Sequence, residues 1–145
     1  MKTIYQTDLH KISINNHEEI DIRDYLIQKL NNYRKIVENS GVLFNDFIIH
    51  TNPDSITKIA STVLAFQAGL VTSVNWKTRN GWIKDADMEI ILGIAATMTQ
   101  HIQNCFNTEQ IIEEDIRSKT EEELKNYSVE HSWLEFGGPK ILSGD

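Results

Sequence analysis

The chain is 145 residues long, 40% hydrophobic and 24% charged, with a formal net charge of −7. This size and composition predict one globular domain with a core of its own and exclude wholesale disorder. The negative charge argues against a nucleic-acid binder, which needs a cationic footprint, and the longest apolar stretch is too short to cross a membrane.

The N-terminal part of the chain predicts a short β-like segment followed by a helix. Residues 1–17 contain β-like pieces around Ile4 and Ile14. From about Glu18 to Asn39, apolar residues recur at steps of three and four, which is the pattern of a helix with one buried face. The residues of that face are Ile22, Leu26, Leu30, Tyr33 and Val37.

A hairpin and a second helix are predicted next. Val42–Phe44 and Phe47–Thr51 are strand-like runs, and Asn45 and Asp46 between them suit a tight turn. Asn52 then caps a helix that has a proline at its first position. The predicted buried stripe of this helix consists of Ile56, Ile59, Ala60, Val63 and Leu64.

A second hairpin and a long third helix follow. In the stretch NWKTRNGWIKDAD, residues 75–87, Trp76 and Trp82 lie on either side of an Asn-Gly turn, which is a strong hairpin signal. We expect Trp76 to be the more buried of the two, because it is the inward member of an alternating strand. Asp85 is predicted to cap the third helix, which the apolar spacing extends as one rod through Ile116.

The end of the chain completes the predicted architecture. Thr120 and Glu123 have the spacing of a capping box at the start of a short helix. The glycine- and proline-rich end predicts a flexible tail at residues 131–145. Together these elements predict a single α+β domain at residues 18–130, in which short antiparallel β-hairpins pack against three main helices.

The third helix carries more apolar surface than one buried face needs. Ile90, Ile94 and Ala96 lie off its main apolar line. Copies of the same helix would cover this surplus in a homo-oligomer, either a dimer or a trimer. The hairpins and the second helix would cover it in a monomer. We expect the oligomer.

Two features are candidates for a protein-binding surface. The segment from Asn107 to Glu130 holds eight acids and three bases, which is typical of a solvated helix face, with a docking surface for a basic partner as the alternative. The Trp82 hairpin is interpreted as a structural clip, with an exposed aromatic platform for a sugar or a base as the alternative. The candidate partner-binding residues are Trp82, Arg79, Glu109, Glu113, Glu114, Glu121 and Glu122.

Metal-binding and catalytic patterns are weak in this sequence. His101 and Cys105 are four residues apart on a helix and would face one metal, but two ligands do not make a site. Cys105 lacks an evident base, so we interpret it as a small half-buried hydrophobic residue. Asp85, Asp87 and Glu89 suit a divalent cation, yet helix capping explains both aspartates. With no P-loop, nucleophile elbow or dinucleotide fingerprint, we expect no catalysis, no cofactor and no metal.

Three stretches of the sequence resemble a known family. They are NSGVLFNDFIIHTNPDSITKI, VNWKTRNGWIKDADMEIILGIAATMTQHIQNCF and IRSKTEEELKNY. They resemble a domain of unknown function common in tailed-phage and prophage tail-fibre-associated proteins, and the likeness covers about Leu30 to Tyr127. Apolar, turn and aromatic residues carry it, with no catalytic motif among them. The resemblance implies a phage origin and a role in or near the tail.

Two functions follow from these patterns. The resemblance favours a non-enzymatic tail-associated protein, either a structural component of the tail fibre or a chaperone for its assembly. The alternative is a small phage-encoded protein that inhibits a host defence or regulatory enzyme through its acidic helix face or its Trp hairpin. Both functions need a protein partner and neither needs nucleic acid or a membrane. A single cysteine and no export signal predict folding in the host cytoplasm, with the virion tail as the destination of a structural component.

Overall fold

The computed structural model describes residues 21–142. The β-like segment predicted at residues 1–17 lies outside the described residues, as does the start predicted for the first helix at Glu18. The elements in chain order are α1 (Ile22–Glu38), β1 (Val42–Phe44), β2 (Phe47–Ile49), α2 (Pro53–Gln67), β3 (Val74–Thr78), β4 (Gly81–Ala86), α3 (Met88–Ser118), α4 (Glu121–Leu124) and α5 (Val129–Glu135). No helix in this described part is both long and apolar enough to cross a membrane.

In the described part of the chain, two antiparallel hairpins among five helices confirm the predicted α+β class. In the first hairpin Leu43 of β1 is opposite Ile48 of β2, and Asn45 in the turn has a φ of 54°, a left-handed conformation that asparagine tolerates. In the second, Trp76 of β3 is opposite Ile83 of β4. Isolated two-stranded hairpins are marginally stable, so their packing on α3 is what holds them in place.

Two of the helix starts confirm the predicted caps. The Asn52 side chain accepts a hydrogen bond from the backbone N–H of Ser55 at 2.9 Å, and a proline opens α2. Thr120 and Glu123 form the complete capping box at α4, each side chain bonded to the other's backbone N–H. Each cap satisfies backbone donors that the first helical turn leaves without a partner.

The predicted cap of α3 is wrong by two residues. Asp87, not Asp85, accepts the hydrogen bond that caps α3. Asp85 lies in β4 with a φ of 52°, and its N–H donates to the Asn75 side-chain oxygen at 3.0 Å. Strand pairing continues as far as Ala86, which is opposite Val74, so the helix begins only after it.

The central element of the fold is α3. Its 31 residues extend over about 46 Å at the usual helical rise. Helices α1 and α5 pack against its C-terminal part, where α4 packs against α1, and α2 and the hairpins pack against its N-terminal part. We name the two resulting buried clusters after these parts of α3. The C-terminal core contains Ile22, Leu26, Leu30, Val37, Cys105, Ile112, Ile116, Leu124, Val129 and Trp133. The N-terminal core contains Ile49, Ile59, Phe66, Ile83, Ala86, Ile91, Ile94 and Met98.

The apolar surplus expected on α3 is largely covered inside one chain. Ile94 is fully buried in the N-terminal core, and Ile90 is partly buried against it. Ala96 is exposed. At Ile94 the coverage is the one expected for the monomer alternative, because the N-terminal core encloses this side chain within one chain.

The predicted buried stripe of α2 is wrong at two positions. Ile59 is buried and Val63 half-buried, as expected, but Ala60 is exposed and the Leu64 side chain is 64% exposed. Phe66 is buried instead. Among the helices of residues 21–142, α2 packs chiefly against α3, so only a narrow strip of α2 is covered.

The domain boundary predicted at residue 130 is also wrong. Helix α5 crosses it, and Trp133 is buried to 2% exposure in the C-terminal core. The indole N–H of Trp133 donates to the Pro139 carbonyl at 2.8 Å, and its ring meets Tyr33 edge-on at 5.5 Å. The segment that composition marks as a flexible tail thus contributes one of the largest side chains of the core.

Candidate functional site

The acidic residue Glu109 belongs to an internal ion-pair network. Arg34 of α1 donates to Glu109 at 2.9 Å and to Glu38 at 2.6 Å, and its guanidinium lies 4.9 Å from the centre of the Phe106 ring. The Arg34 and Glu109 side chains are 14% and 18% exposed. Burial by itself would lower the pKa of Arg34, but the hydrogen bonds to both carboxylates outweigh it and raise that pKa. Glu109 therefore joins α3 to α1, and its assignment to a solvated face is wrong.

The other acidic candidates do not form one continuous surface. Glu113 pairs with Arg117 at 3.1 Å, one turn along α3. Glu122 pairs with Lys125 at 3.0 Å on α4. Glu114 and Glu121 are exposed. The charges are thus divided between two helices, and local pairs offset several of them.

His101 and Cys105 lie together in the interior, but their contacts are structural. The His101 Nε2 atom is 3.1 Å from the Val37 carbonyl and 3.2 Å from the Glu38 carbonyl, so it donates to the C-terminal end of α1. The Cys105 sulfur is 3.9 Å from the same nitrogen. Within residues 21–142 there is no group of three or more His, Cys, Asp or Glu side chains placed to hold a metal ion.

Cys105 is expected to be unreactive in the folded protein. Burial raises the pKa of its thiol to about 12, so almost none of the reactive thiolate is present at mildly alkaline pH. An aromatic disulfide reagent should label the protein fully in urea and negligibly in native buffer. Rapid stoichiometric labelling of the native protein would contradict the burial of this side chain.

Arg79 and Asn80, in the turn of the second hairpin, form hydrogen bonds to the first hairpin and to the residue before it. The Arg79 guanidinium donates to the Ser40 carbonyl at 2.5 Å. The guanidinium also lies close to Gly41, because a Cβ added there would be 2.7 Å from its nitrogen. The Asn80 side chain accepts from the Ile48 N–H at 2.8 Å. Arg79, a candidate partner-binding residue, thus has an internal partner, and these contacts favour the clip interpretation for the turn.

Trp76 and Trp82 have different environments, as the strand alternation predicts. Trp76 is half-buried and packs against the N-terminal core. Trp82 is 53% exposed, and the Lys77 ammonium lies 5.9 Å from the centre of its ring. The expected order of burial is confirmed, and Trp82 remains available to a ligand.

Both tryptophans line a cleft between the second hairpin and the N-terminus of α2, which we name the Trp cleft. Its volume is about 410 Å³. The lining residues are His50, Asn52, Asp54, Ser55, Lys58, Asn75, Trp76, Lys77 and Trp82. Polar side chains therefore surround an exposed indole in a concave site.

A second concave surface, which we name the α2–α3 groove, lies between those helices. Its volume is about 500 Å³, and no ionisable side chain lines it. The lining residues are Ile56, Ile59, Ala60, Val63, Leu64, Ala95, Met98, Thr99, Ile102 and Gln103. The sequence marks most of these positions as apolar, but periodicity cannot indicate which of them stay uncovered.

The predicted site residues are not brought together. Trp82 lies on β4 beside the Trp cleft, whereas Glu109 lies on α3 and pairs with Arg34 of α1. The acidic residues lie beside the C-terminal core and the Trp cleft beside the N-terminal core. Any partner-binding role of Trp82 is therefore separate from that of the acids.

These features define a small α+β domain built on one long helix, with the Trp cleft and the α2–α3 groove beside its N-terminal core. The chain belongs to the family described as a domain of unknown function, DUF4376, whose sequence profile matches residues 21–129. The match runs from the cap of α1 to the first residue of α5. Comparison with curated proteins and with solved structures gave no significant match.

Proposed function

We propose that this chain is a non-enzymatic bacteriophage tail-associated protein, either a structural component of the tail fibre or a chaperone for its assembly. The resemblance of residues 30–127 to tail-fibre-associated proteins supports the phage setting. The observation that carries a protein-binding role is the α2–α3 groove, which is open, apolar and uncharged. Folding takes place in the host cytoplasm, and a structural component would end in the virion tail.

The groove has the chemistry of a helix-binding surface. Two packed helices form its walls, and the exposed Leu64 side chain stands at its edge. Apolar grooves of this kind accept the apolar face of an amphipathic helix, whose burial stabilises the complex by about 1.5–3 kcal/mol for each large aliphatic side chain. The occupant we propose is an amphipathic helix of the tail-fibre protein, because an uncharged wall offers nothing to an acidic or a basic partner.

Leu64→Asp tests this surface. A carboxylate in the groove would be desolvated without a partner, so binding to the co-expressed fibre protein should weaken by at least about tenfold. Leu134→Asp is the matched control, because both leucines are 64% exposed and Leu134 lies outside the groove. Co-purification and calorimetry measure the effect, and equal binding by the two variants would contradict the proposal.

The amount of this protein in purified phage particles distinguishes a structural component from an assembly chaperone. A structural component should be present in them in stoichiometric amounts, and a chaperone should be absent although fibres fail to assemble without it. Normal assembly of complete fibres in its absence would overturn both roles. Light scattering over a dilution series tests whether the free protein forms a dimer or a trimer. The exposed Leu64 side chain is compatible with such a homo-oligomer.

One observation favours the alternative, a small inhibitor of a host defence or regulatory enzyme. Trp82 is a large exposed aromatic residue of the kind that anchors protein interfaces. The acidic helix face gives this function less support, because Glu109, Glu113 and Glu122 all have partners within the chain. An inhibitor would be absent from purified phage particles. Trp82→Ala would abolish its binding to the host partner, and Leu64→Asp would leave that binding intact.

A further inference from the structure

The polar side chains of the Trp cleft have unused hydrogen-bonding capacity. The Asn52 side-chain oxygen accepts from the Ser55 N–H, and the Asn75 oxygen accepts from the Asp85 N–H. These bonds fix the two amide groups. Within residues 21–142 neither amide nitrogen donates a hydrogen bond, and the His50 ring has no hydrogen-bond partner there. The cleft therefore presents oriented donors beside an indole.

The charge of the cleft is small. Two lysines, Lys58 and Lys77, face one aspartate, Asp54. Lys58 pairs with Asp54 at 3.0 Å, and Lys77 lies within cation–π distance of Trp82. One formal positive charge remains, taking His50 as neutral, on a chain of net charge −7. This balance is poor for a polyphosphate or a nucleic acid, which would need a cationic groove along its backbone.

We propose that the Trp cleft binds a carbohydrate, with one pyranose ring stacked on the indole of Trp82. The C–H groups on the flat side of a pyranose carry partial positive charge and are attracted to the electron-rich face of an indole. Sugar hydroxyls donate and accept at once, so they match a site that holds free amide N–H groups and a carboxylate together. A volume of about 410 Å³ lies in the range of small-molecule sites and accommodates one or two sugar rings.

This inference stands apart from the proposed fibre-binding role. The Trp cleft shares no lining residue with the α2–α3 groove, although both lie on α2. Leu64→Asp should therefore leave carbohydrate binding unchanged, and Trp82→Ala should leave fibre binding unchanged. Failure of one proposal would not entail failure of the other.

Titration calorimetry with three trisaccharides tests the proposal. Cellotriose offers unsubstituted pyranose faces, chitotriose adds acetamido groups, and trigalacturonate adds carboxylates for the lysines. We expect saturable binding of at least one of them. Trp82→Ala should weaken it by at least about tenfold, the effect of removing one stacking aromatic, whereas Trp82→Phe should retain most of it.

Phe136→Ala is the matched control, because Phe136 is an exposed aromatic residue outside the cleft. It should bind the same sugar as tightly as the unmodified chain, and circular dichroism should show every variant to be folded. No binding of any of the three sugars up to millimolar concentration would overturn the proposal. Equal affinity of Trp82→Ala and the unmodified chain would also overturn it, as would a cleft that captures a host protein but no sugar.

Discussion

Trp133→Ala should lower the free energy of unfolding by about 3–5 kcal/mol, the range for deleting a buried aromatic side chain. Trp133 is 2% exposed and packs edge-on against Tyr33. Its indole N–H also bonds to the Pro139 carbonyl, which fastens the residues after α5 to the core. The substitution removes the core contact and the anchor of that segment together. Urea titration followed by far-ultraviolet circular dichroism measures the loss.

Trp82→Ala is the control for this experiment, since it deletes the same side chain from a half-exposed position. We expect it to cost less than about 1 kcal/mol, as surface substitutions do. Similar losses for the two variants would contradict the difference in burial. A small loss at Trp133 would restore the interpretation of residues 131–145 as a flexible tail.

The error at Trp133 shows what the local sequence lacks. Two glycines and a proline in FGGPK indicate a mobile end when they are considered without the rest of the chain. Gly138 instead allows a close approach, because a Cβ there would lie 2.3 Å from the Trp133 indole nitrogen. A glycine needed for packing and a glycine in a flexible tail have the same appearance in a single sequence.

Helix and strand positions were predictable because their signals are local. The Asn52 cap and the Thr120–Glu123 capping box each lie within four residues, and the structure contains both. The Asp85 cap failed for a non-local reason. Pairing of Val74 with Ala86 extends β4 past Asp85, and a window centred on the helix start cannot detect a partner 12 residues away.

The candidate site was predictable only in part. The lower burial of Trp82 was expected because Trp82 directly follows the turn, while Trp76 is the inward member of an alternating strand; both are local signals. Other positions depend on tertiary packing. Leu64 stays uncovered while Ile94 is enclosed, although both are aliphatic residues on amphipathic helices. Glu109 pairs with Arg34 across 75 residues of sequence, so counting acids in a segment could not separate this internal carboxylate from solvated ones.

Arg34→Met should lower the free energy of unfolding by about 2–4 kcal/mol, somewhat less than the loss for breaking a fully buried ion pair, because water retains some access. The substitution leaves the Glu38 and Glu109 carboxylates together without a counter-charge. It also removes the contact of the guanidinium with Phe106. Arg117→Met is the matched control, since Arg117 makes one exposed pair with Glu113, and it should change stability by less than about 0.5 kcal/mol.

The same network predicts a rescue. Adding Glu109→Gln to Arg34→Met removes one of the two unpaired carboxylates, so the double variant should be more stable than Arg34→Met alone by about 1 kcal/mol or more. Glu114→Gln is the control second change, because Glu114 is exposed and should rescue nothing. Urea unfolding of these three variants and the unmodified chain at neutral pH completes the comparison. Equal stability of the two double variants would show that Glu109 is a solvated surface acid, and it would then return to the candidates for partner binding.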